Sequence, residues 1–185
     1  MDKSIKKTVI VGGVAAGASC AARLRRLDET AEIILLERGE YISYANCGLP
    51  YHVGDVIRSR DALLVTKAEV MHKRFRVDVR TLNEATAIDR ERKTVKVKRL
   101  SDGTEYEESY DSPVLAAGSS PIRPDIPGIG SERVMTLWTV PDADRICSMI
   151  AKGAGSALTS AAGSSLTSIC APLTARSMPW ETSRS

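Results

Sequence analysis

The 185-residue chain is poor in aromatic side chains, which make up 4% of it, and carries little excess of either charge, with a formal net of +3. Nucleic-acid binding draws on clustered basic residues and stacking platforms, so these two shortages argue against it. No apolar run approaches the roughly twenty residues that a bilayer-spanning helix needs, so neither a membrane anchor nor a membrane partner is expected. The opening Met1-Asp-Lys-Ser-Ile-Lys-Lys7 leads straight into a strand and has no secretory signal pattern. The four cysteines lack the spacing of a disulfide framework, which suits a reducing cytoplasm. No metal site is expected.

What is present begins with Thr8-Val-Ile-Val11, a β-branched run that predicts a buried strand and runs directly into Gly12-Gly-Val-Ala-Ala-Gly17. Glycine at 12 permits a tight turn, and Gly17 lets the next helix pack close to the strand. That helix would aim its N-terminal N–H groups and positive dipole end at a pyrophosphate. Ala18 to Leu27 has apolar or small residues at 18, 21, 22, 24 and 27 with arginines between them, the pattern of an amphipathic helix. Glu32-Ile-Ile-Leu-Leu36 reads as a second strand. It ends in Glu37, about twenty residues past the last glycine, where a carboxylate accepts hydrogen bonds from a ribose. One departure is visible: the strict G-x-G-x-x-G pattern puts a glycine where this chain has Val14.

Just beyond this βαβ unit lies Ser43-Tyr-Ala-Asn-Cys-Gly-Leu-Pro-Tyr51, which delivers Cys47 to the edge of a dinucleotide site. Free cysteine is among the most buried residue types, and Cys20 and Cys147 fit that bland description. Cys170 lies in a segment that does not decide its role. Cys47 differs because of the long, specific run around it. His52 reads as a solvated or structural histidine.

Through Val9 to Gly17, Ala21-Ala-Arg-Leu-Arg-Arg26, Ser43 to Tyr51 and Tyr110-Asp-Ser-Pro-Val-Leu-Ala-Ala-Gly118, the chain resembles the pyridine nucleotide-disulfide oxidoreductases. Within them it is similar to the single-cysteine branch of coenzyme A-disulfide reductases and NADH oxidases or peroxidases. The dithiol branch carries C-x-x-x-x-C, whereas here the residues five before and five after Cys47 are Ile42 and His52. A lone thiolate stores oxidising equivalents only as a mixed disulfide or as sulfenic acid. The resemblance therefore implies either of two activities. One is coenzyme A-disulfide reduction, with electrons passing from NAD(P)H through FAD to Cys47; the other is reduction of peroxide or oxygen through a Cys47 sulfenic acid. A non-catalytic FAD-binding remnant is the third reading.

The resemblance also implies FAD contacts at Gly12, Gly13, Val14, Ala15, Ala16, Gly17, Glu37, Arg38, Asn46, Cys47, Ala117 and Gly118. Ser19, Arg23 and Arg26 fall at i, i+4 and i+7 and so share one helix face, where two guanidiniums and a hydroxyl suit the phosphates of an extended nucleotide. The family points the same way, implying coenzyme A contacts at Ser19, Arg23, Arg26, Ser43 and Asn46. A sulfenic-acid enzyme has little need of that basic face.

Asp61 to Arg76 reads as helical in its later part, followed by strands over Val77 to Val79, Leu82 to Asp89, Lys93 to Lys98 and Glu105 to Tyr110. These form a small antiparallel excursion. Val114 to Gly118 reads as a buried strand ending against the flavin, although Pro113 and Ala117 depart from the family pattern. Pro121 to Gly130 reads as a stiff connector, and Pro141-Asp-Ala-Asp144 opens a helix running to Ile150.

The expected architecture is thus α/β, a Rossmann-like FAD-binding domain over residues 1–150 with an antiparallel β insert. Residues 151–185 form an aberrant or disordered tail, rich in Ser, Thr and Ala, where an NAD(P)H-binding domain would begin. The reading is of a chain truncated relative to its family. The family implies a homodimer, which is doubtful for so short a chain.

Overall fold

The computed structural model describes residues 6–131 and 134–157, and side chains as far as residue 151. In chain order the elements are β1 (Lys7–Val11), α1 (Ala15–Leu27), β2 (Glu32–Glu37), α2 (Leu49–Val53), α3 (Ala68–Phe75), β3 (Asp78–Thr81), β4 (Asn83–Asp89), β5 (Thr94–Arg99), β6 (Glu105–Ser109), β7 (Ser112–Leu115) and α4 (Val140–Ala157). They divide into two compact units. The first holds residues 6–46 and 61–122, the second residues 47–60 with the described part of 123–157.

The first unit is layered. A parallel sheet in the order β3-β2-β1-β7 is joined by a second, antiparallel sheet in the order β4-β5-β6. β1 pairs with β2 so that Val9 faces Ile34 across the ladder and Ile10 faces Leu35. Because side chains alternate across a strand, Ile10, Ile33 and Leu35 pack with Ala18, Ala21, Met71 and Val77 on the helix side of the sheet. Val9, Ile34 and Leu36 pack on the opposite side with Val95, Val97 and Tyr110. Both faces of the sheet are therefore covered, which is why β2 reads as an unbroken apolar run. Each such fully buried side chain stabilises the fold by about 1.5–3 kcal/mol. The antiparallel excursion expected from the sequence is this second sheet, formed by β4, β5 and β6. The strand expected in it over Val77 to Val79 is β3, which instead pairs in parallel with β2, because the buried Val77 just before it joins the helix-side core of the first sheet.

Two further features differ from expectation. The strand expected over Val114 to Gly118 is β7, ending at Leu115, and it is an edge strand: it pairs with β1, and Leu115 is 68% exposed. Pro113 is tolerated there because an edge strand does not need every backbone donor. Arg25, one of the arginines of the amphipathic helix, is buried instead of solvated. Its guanidinium donates to the carbonyls of Phe75 (2.7 Å) and Arg76 (2.9 Å) at the end of α3, and to Asp28 and Glu29 beyond α1. One cation thus satisfies exposed carbonyls at two helix ends.

Between the sheets, Glu108 accepts hydrogen bonds from Lys7 Nζ (2.6 Å) and from the Arg80 guanidinium. Burial opposes its charge, but the two cations overcome that and hold its carboxyl below the usual range. The stability it adds is therefore fully present above its ordinary value of 4.5 and lost as pH falls through the lower folded-state value. Lys7, raised by its bond to Glu108, stays protonated throughout the acid range. Glu108→Gln should cost roughly 1–2 kcal/mol at pH 7 and little at pH 2, read as the urea midpoint at both pH values. An equal loss at both would show that the charge is not what stabilises.

The second unit contains α2 and α4, which pack on each other. α4 begins with a reciprocal cap. The Thr139 N–H and hydroxyl donate to Asp142 Oδ2 at 2.8 Å, and the Asp142 N–H returns a 3.3 Å bond to Thr139 Oγ1. This is the helix expected from Pro141 onward, and it extends to Ala157. The helix thus runs past Ile150 into the stretch read as a tail from residue 151, and the remainder of that tail lies outside the described residues. Among the described residues no helix is long and apolar enough to cross a membrane.

Candidate dinucleotide and thiol site

The glycine turn is built from three separate demands. Gly12 has φ of +99°, and a Cβ there would overlap the carbonyl oxygen of Ala116. Gly13 lies against Leu35, Ile42 and Glu37, and Gly17 packs so closely on the Gly12 carbonyl that a Cβ would collide with its oxygen. The close helix-to-strand approach expected of Gly17 is therefore present. Val14 stands where the strict pattern has glycine, and its negative φ of −83° is not one that requires glycine.

Ala117 is brought against this turn. Its backbone nitrogen lies 3.3 Å from where a Gly12 Cβ would be, and Ala116 N–H donates to Val11 O at 2.8 Å. Gly118 follows with φ of +70° in open space. At the helix end of the turn, Ala15 and Ala16 are exposed, the first turn of α1 carries no acid, and Val14 supplies no side-chain cap. The first N–H groups of α1 are thus left for an anion, within a turn that only glycine can make.

Glu37 is 8% exposed, and its carboxylate does more than the sequence suggests. One oxygen accepts the Gly13 N–H and the other the Gly39 N–H, both at 2.7 Å, so the acid at the end of β2 braces the glycine turn. A carboxylate has about four acceptor positions, so these two bonds leave capacity for a ribose. Arg38 follows and is exposed.

The loop after β2 is tied to the same turn. Ser43 N–H donates to Gly13 O at 2.9 Å, while Ser43 O accepts from Val65 and Thr66. Ser43 takes a left-handed φ of +46°, unusual for a residue with a side chain. The sequence carries no signal for this strained corner or for the Gly13 bond. Asn46 is half-buried in the short 3₁₀ turn Asn46–Gly48. Ser19, Arg23 and Arg26 all lie on the exposed side of α1, and neither arginine pairs with a carboxylate among the described residues.

Cys47 belongs to the second unit, where it is exposed and unpaired, immediately before α2. Cys147, on α4, is half-buried, and burial together with Asp144 and Asp55 pushes its thiol up. Cys20 packs against the helix-side core of the first unit. Both match the filler role read from the sequence. His52 is structural: its Nδ1 lies 2.7 Å from Ile57 O, a pure acceptor, so that nitrogen carries the proton. Among the described residues no group of His, Cys, Asp or Glu is placed to hold a metal ion.

A parallel sheet with a glycine turn opening a helix, and an acid ending the next strand, defines a dinucleotide-binding α/β fold. Residues 6–155 match the pyridine nucleotide-disulphide oxidoreductase family, and the chain belongs to that family. It is 40% identical over 140 residues to a coenzyme A disulfide reductase of Staphylococcus aureus, covering 76% of this chain and 31% of that one. Among solved structures it resembles the reduced CoADR-RHD of Bacillus anthracis, at 51% identity and a TM-score of 0.79, covering 82% of this chain and 27% of the other. It also resembles an NAD-dependent persulfide reductase from A. fulgidus, at 41% identity and a TM-score of 0.75, covering 80% and 28%. The chain spans about a third of the length of the curated relatives it matches. The cofactor of the family is FAD, and the glycine turn, the uncapped start of α1 and the spare acceptor positions of Glu37 fit its pyrophosphate and ribose.

Proposed function

We propose that this chain is the FAD-binding, thiol-bearing part of a coenzyme A-disulfide reductase. The observation that carries this reading is the exposed Ser19, Arg23 and Arg26 face on the helix that opens at the glycine turn. Arginine binds phosphate through paired donors, and a phosphate-rich second nucleotide is the substrate class such a face suits. Reduction of peroxide or oxygen asks for no such face.

Residues 12–17, Glu37, Arg38, Ala117 and Gly118 would hold FAD, which would supply the two-electron relay between NAD(P)H and the thiol. The chain's own residues do the rest. Arg23 and Arg26 hold coenzyme A phosphates, and Ser19, Ser43 and Asn46 add hydrogen bonds to the ligand. Cys47 attacks one sulfur of coenzyme A disulfide: a new S–S bond forms as the old one breaks, and one coenzyme A leaves as thiolate and takes a proton from water. Two electrons then return Cys47 to its thiolate and release the second coenzyme A.

The test is to incubate the native chain with coenzyme A disulfide and map the adduct by peptide mass spectrometry. The adduct is expected on Cys47, and Arg23→Ala with Arg26→Ala should slow its formation about tenfold or more, since each charge-assisted contact is worth roughly 1.5–3 kcal/mol. A native Cys47 carrying sulfenic or sulfinic acid, with no preference for coenzyme A, would instead point to the peroxide-reducing branch.

A further inference from the structure

The stretch carrying Cys47 is seated at its two ends. Near its start, Leu49 is 1% exposed and begins α2, which packs on α4. At its far end, Arg60 closes a bidentate ion pair on Asp144 in the first turns of α4. Nε donates to Oδ1 and Nη2 to Oδ2, both at 2.7 Å, across 84 positions of sequence. Between these points the chain is knit to itself. Gly54 N–H donates to Pro50 O, Val56 and Ile57 N–H to Tyr51 O, and the His52 ring to Ile57 O.

Most of this turn is exposed: Pro50, Tyr51, Gly54 to Val56, Arg58 and Ser59 all face water. Its internal hydrogen bonds hold it as one piece, and α2 and the Arg60 pair tie that piece to α4. The α4 end is itself rigid, since the Thr139 and Asp142 cap lies immediately before Asp144 and Val140 and Ala143 are fully buried. Arg60 holds the Asp144 carboxyl below the usual range, against an opposing effect of burial.

We propose that Arg60 and Asp144 form a positioning clamp that gives the Cys47 segment one seat on α4 and so one orientation of the thiol. This rests on Cys47 being the reacting thiol. A thiolate must approach along the axis of the disulfide it breaks, and small misplacements of a reacting group cost rate steeply. A large disulfide held by its own phosphates cannot turn to meet a wandering thiol, whereas a small free one can. The clamp therefore matters for coenzyme A disulfide and little for a small disulfide.

The test compares the rate of Cys47 with coenzyme A disulfide to its rate with hydroxyethyl disulfide, in the full chain, by peptide mass spectrometry. Native protein should favour coenzyme A disulfide. Arg60→Met and Asp144→Asn should each lower that ratio about tenfold, with the hydroxyethyl rate nearly unchanged. Arg60→Asp combined with Asp144→Arg should restore it, which a merely destabilising role would not allow. If Arg60→Met fails to fold, the near-isosteric Asp144→Asn carries the measurement. A high native ratio unchanged in the folded variants overturns the clamp alone. A native ratio near one overturns the coenzyme A reading and the clamp together.

Discussion

Gly17→Ala is expected to cost about 3 kcal/mol of stability and to weaken FAD binding at least tenfold. The added Cβ would meet the Gly12 carbonyl, with its carbon 2.9 Å away, and Ile10 Cγ2 at 3.2 Å. The nearest obstacle is backbone and cannot rotate aside as a side chain can, so α1 must shift from β1. Such overpacking costs typically 1–3 kcal/mol. The shift also pulls Ala18 and Ala21 from the helix-side core and moves the first N–H groups of α1 off the pyrophosphate position.

For a domain of this size the loss corresponds to a fall of roughly 6–12 °C in the unfolding midpoint, at 2–4 °C per kcal/mol. Thermal unfolding followed by circular dichroism and titration of flavin fluorescence would read the two effects. Gly118→Ala is the informative contrast. Its φ of +70° is strained for alanine, but its Cβ would meet nothing within 4 Å, so the cost should stay near 1–2 kcal/mol. A loss at Gly17 no larger than that at Gly118 would show that the helix-to-strand approach does not set the requirement at Gly17.

Cys47→Ser should reduce coenzyme A adduct formation at pH 7 by at least a hundredfold. Serine is close in shape but its hydroxyl does not ionise near neutral pH and cannot form a disulfide. The described thiols that remain are poor substitutes. Cys147 is pushed up by burial and by the carboxylates of Asp144 and Asp55, so little of it is thiolate at neutral pH, and Cys20 is partly covered by core side chains. The measurement is intact mass against time, with peptide mapping to separate Cys20, Cys147 and Cys170. An adduct that persists at the native rate after the substitution, or that maps to Cys147, would remove Cys47 from its assigned role.

Legibility followed the range of the interaction that makes each feature. β1, the glycine turn, α1 and β2 could be read because a β-branched run, three glycines and a 3.6-residue period are local statements about backbone and burial. The second sheet could be read from strand alternation, although the same signal also drew in β3, whose partner is set by the parallel sheet. That Ser19, Arg23 and Arg26 share an exposed face follows from helical spacing alone. The edge position of β7 could not be read, because four apolar or small residues look alike at the centre and at the margin of a sheet. Arg25 looked like its exposed neighbours Arg23 and Arg26, since its burial depends on carbonyls some fifty positions away. A guanidinium in the last turn of a helix was the available hint.

Sequence by itself determined the nucleotide turn, the acid that follows it and the isolation of Cys47 from any neighbouring thiol, because steric need for glycine and the absence of a second cysteine are properties of short stretches. Tertiary structure alone decided that Glu37 braces Gly13 and Gly39, that Ser43 is strained against the same turn, and that Arg60 reaches Asp144. Each of these joins groups whose separation is set only once the strands are paired and the helices packed, and a hydrogen bond or ion pair exists only at contact distance.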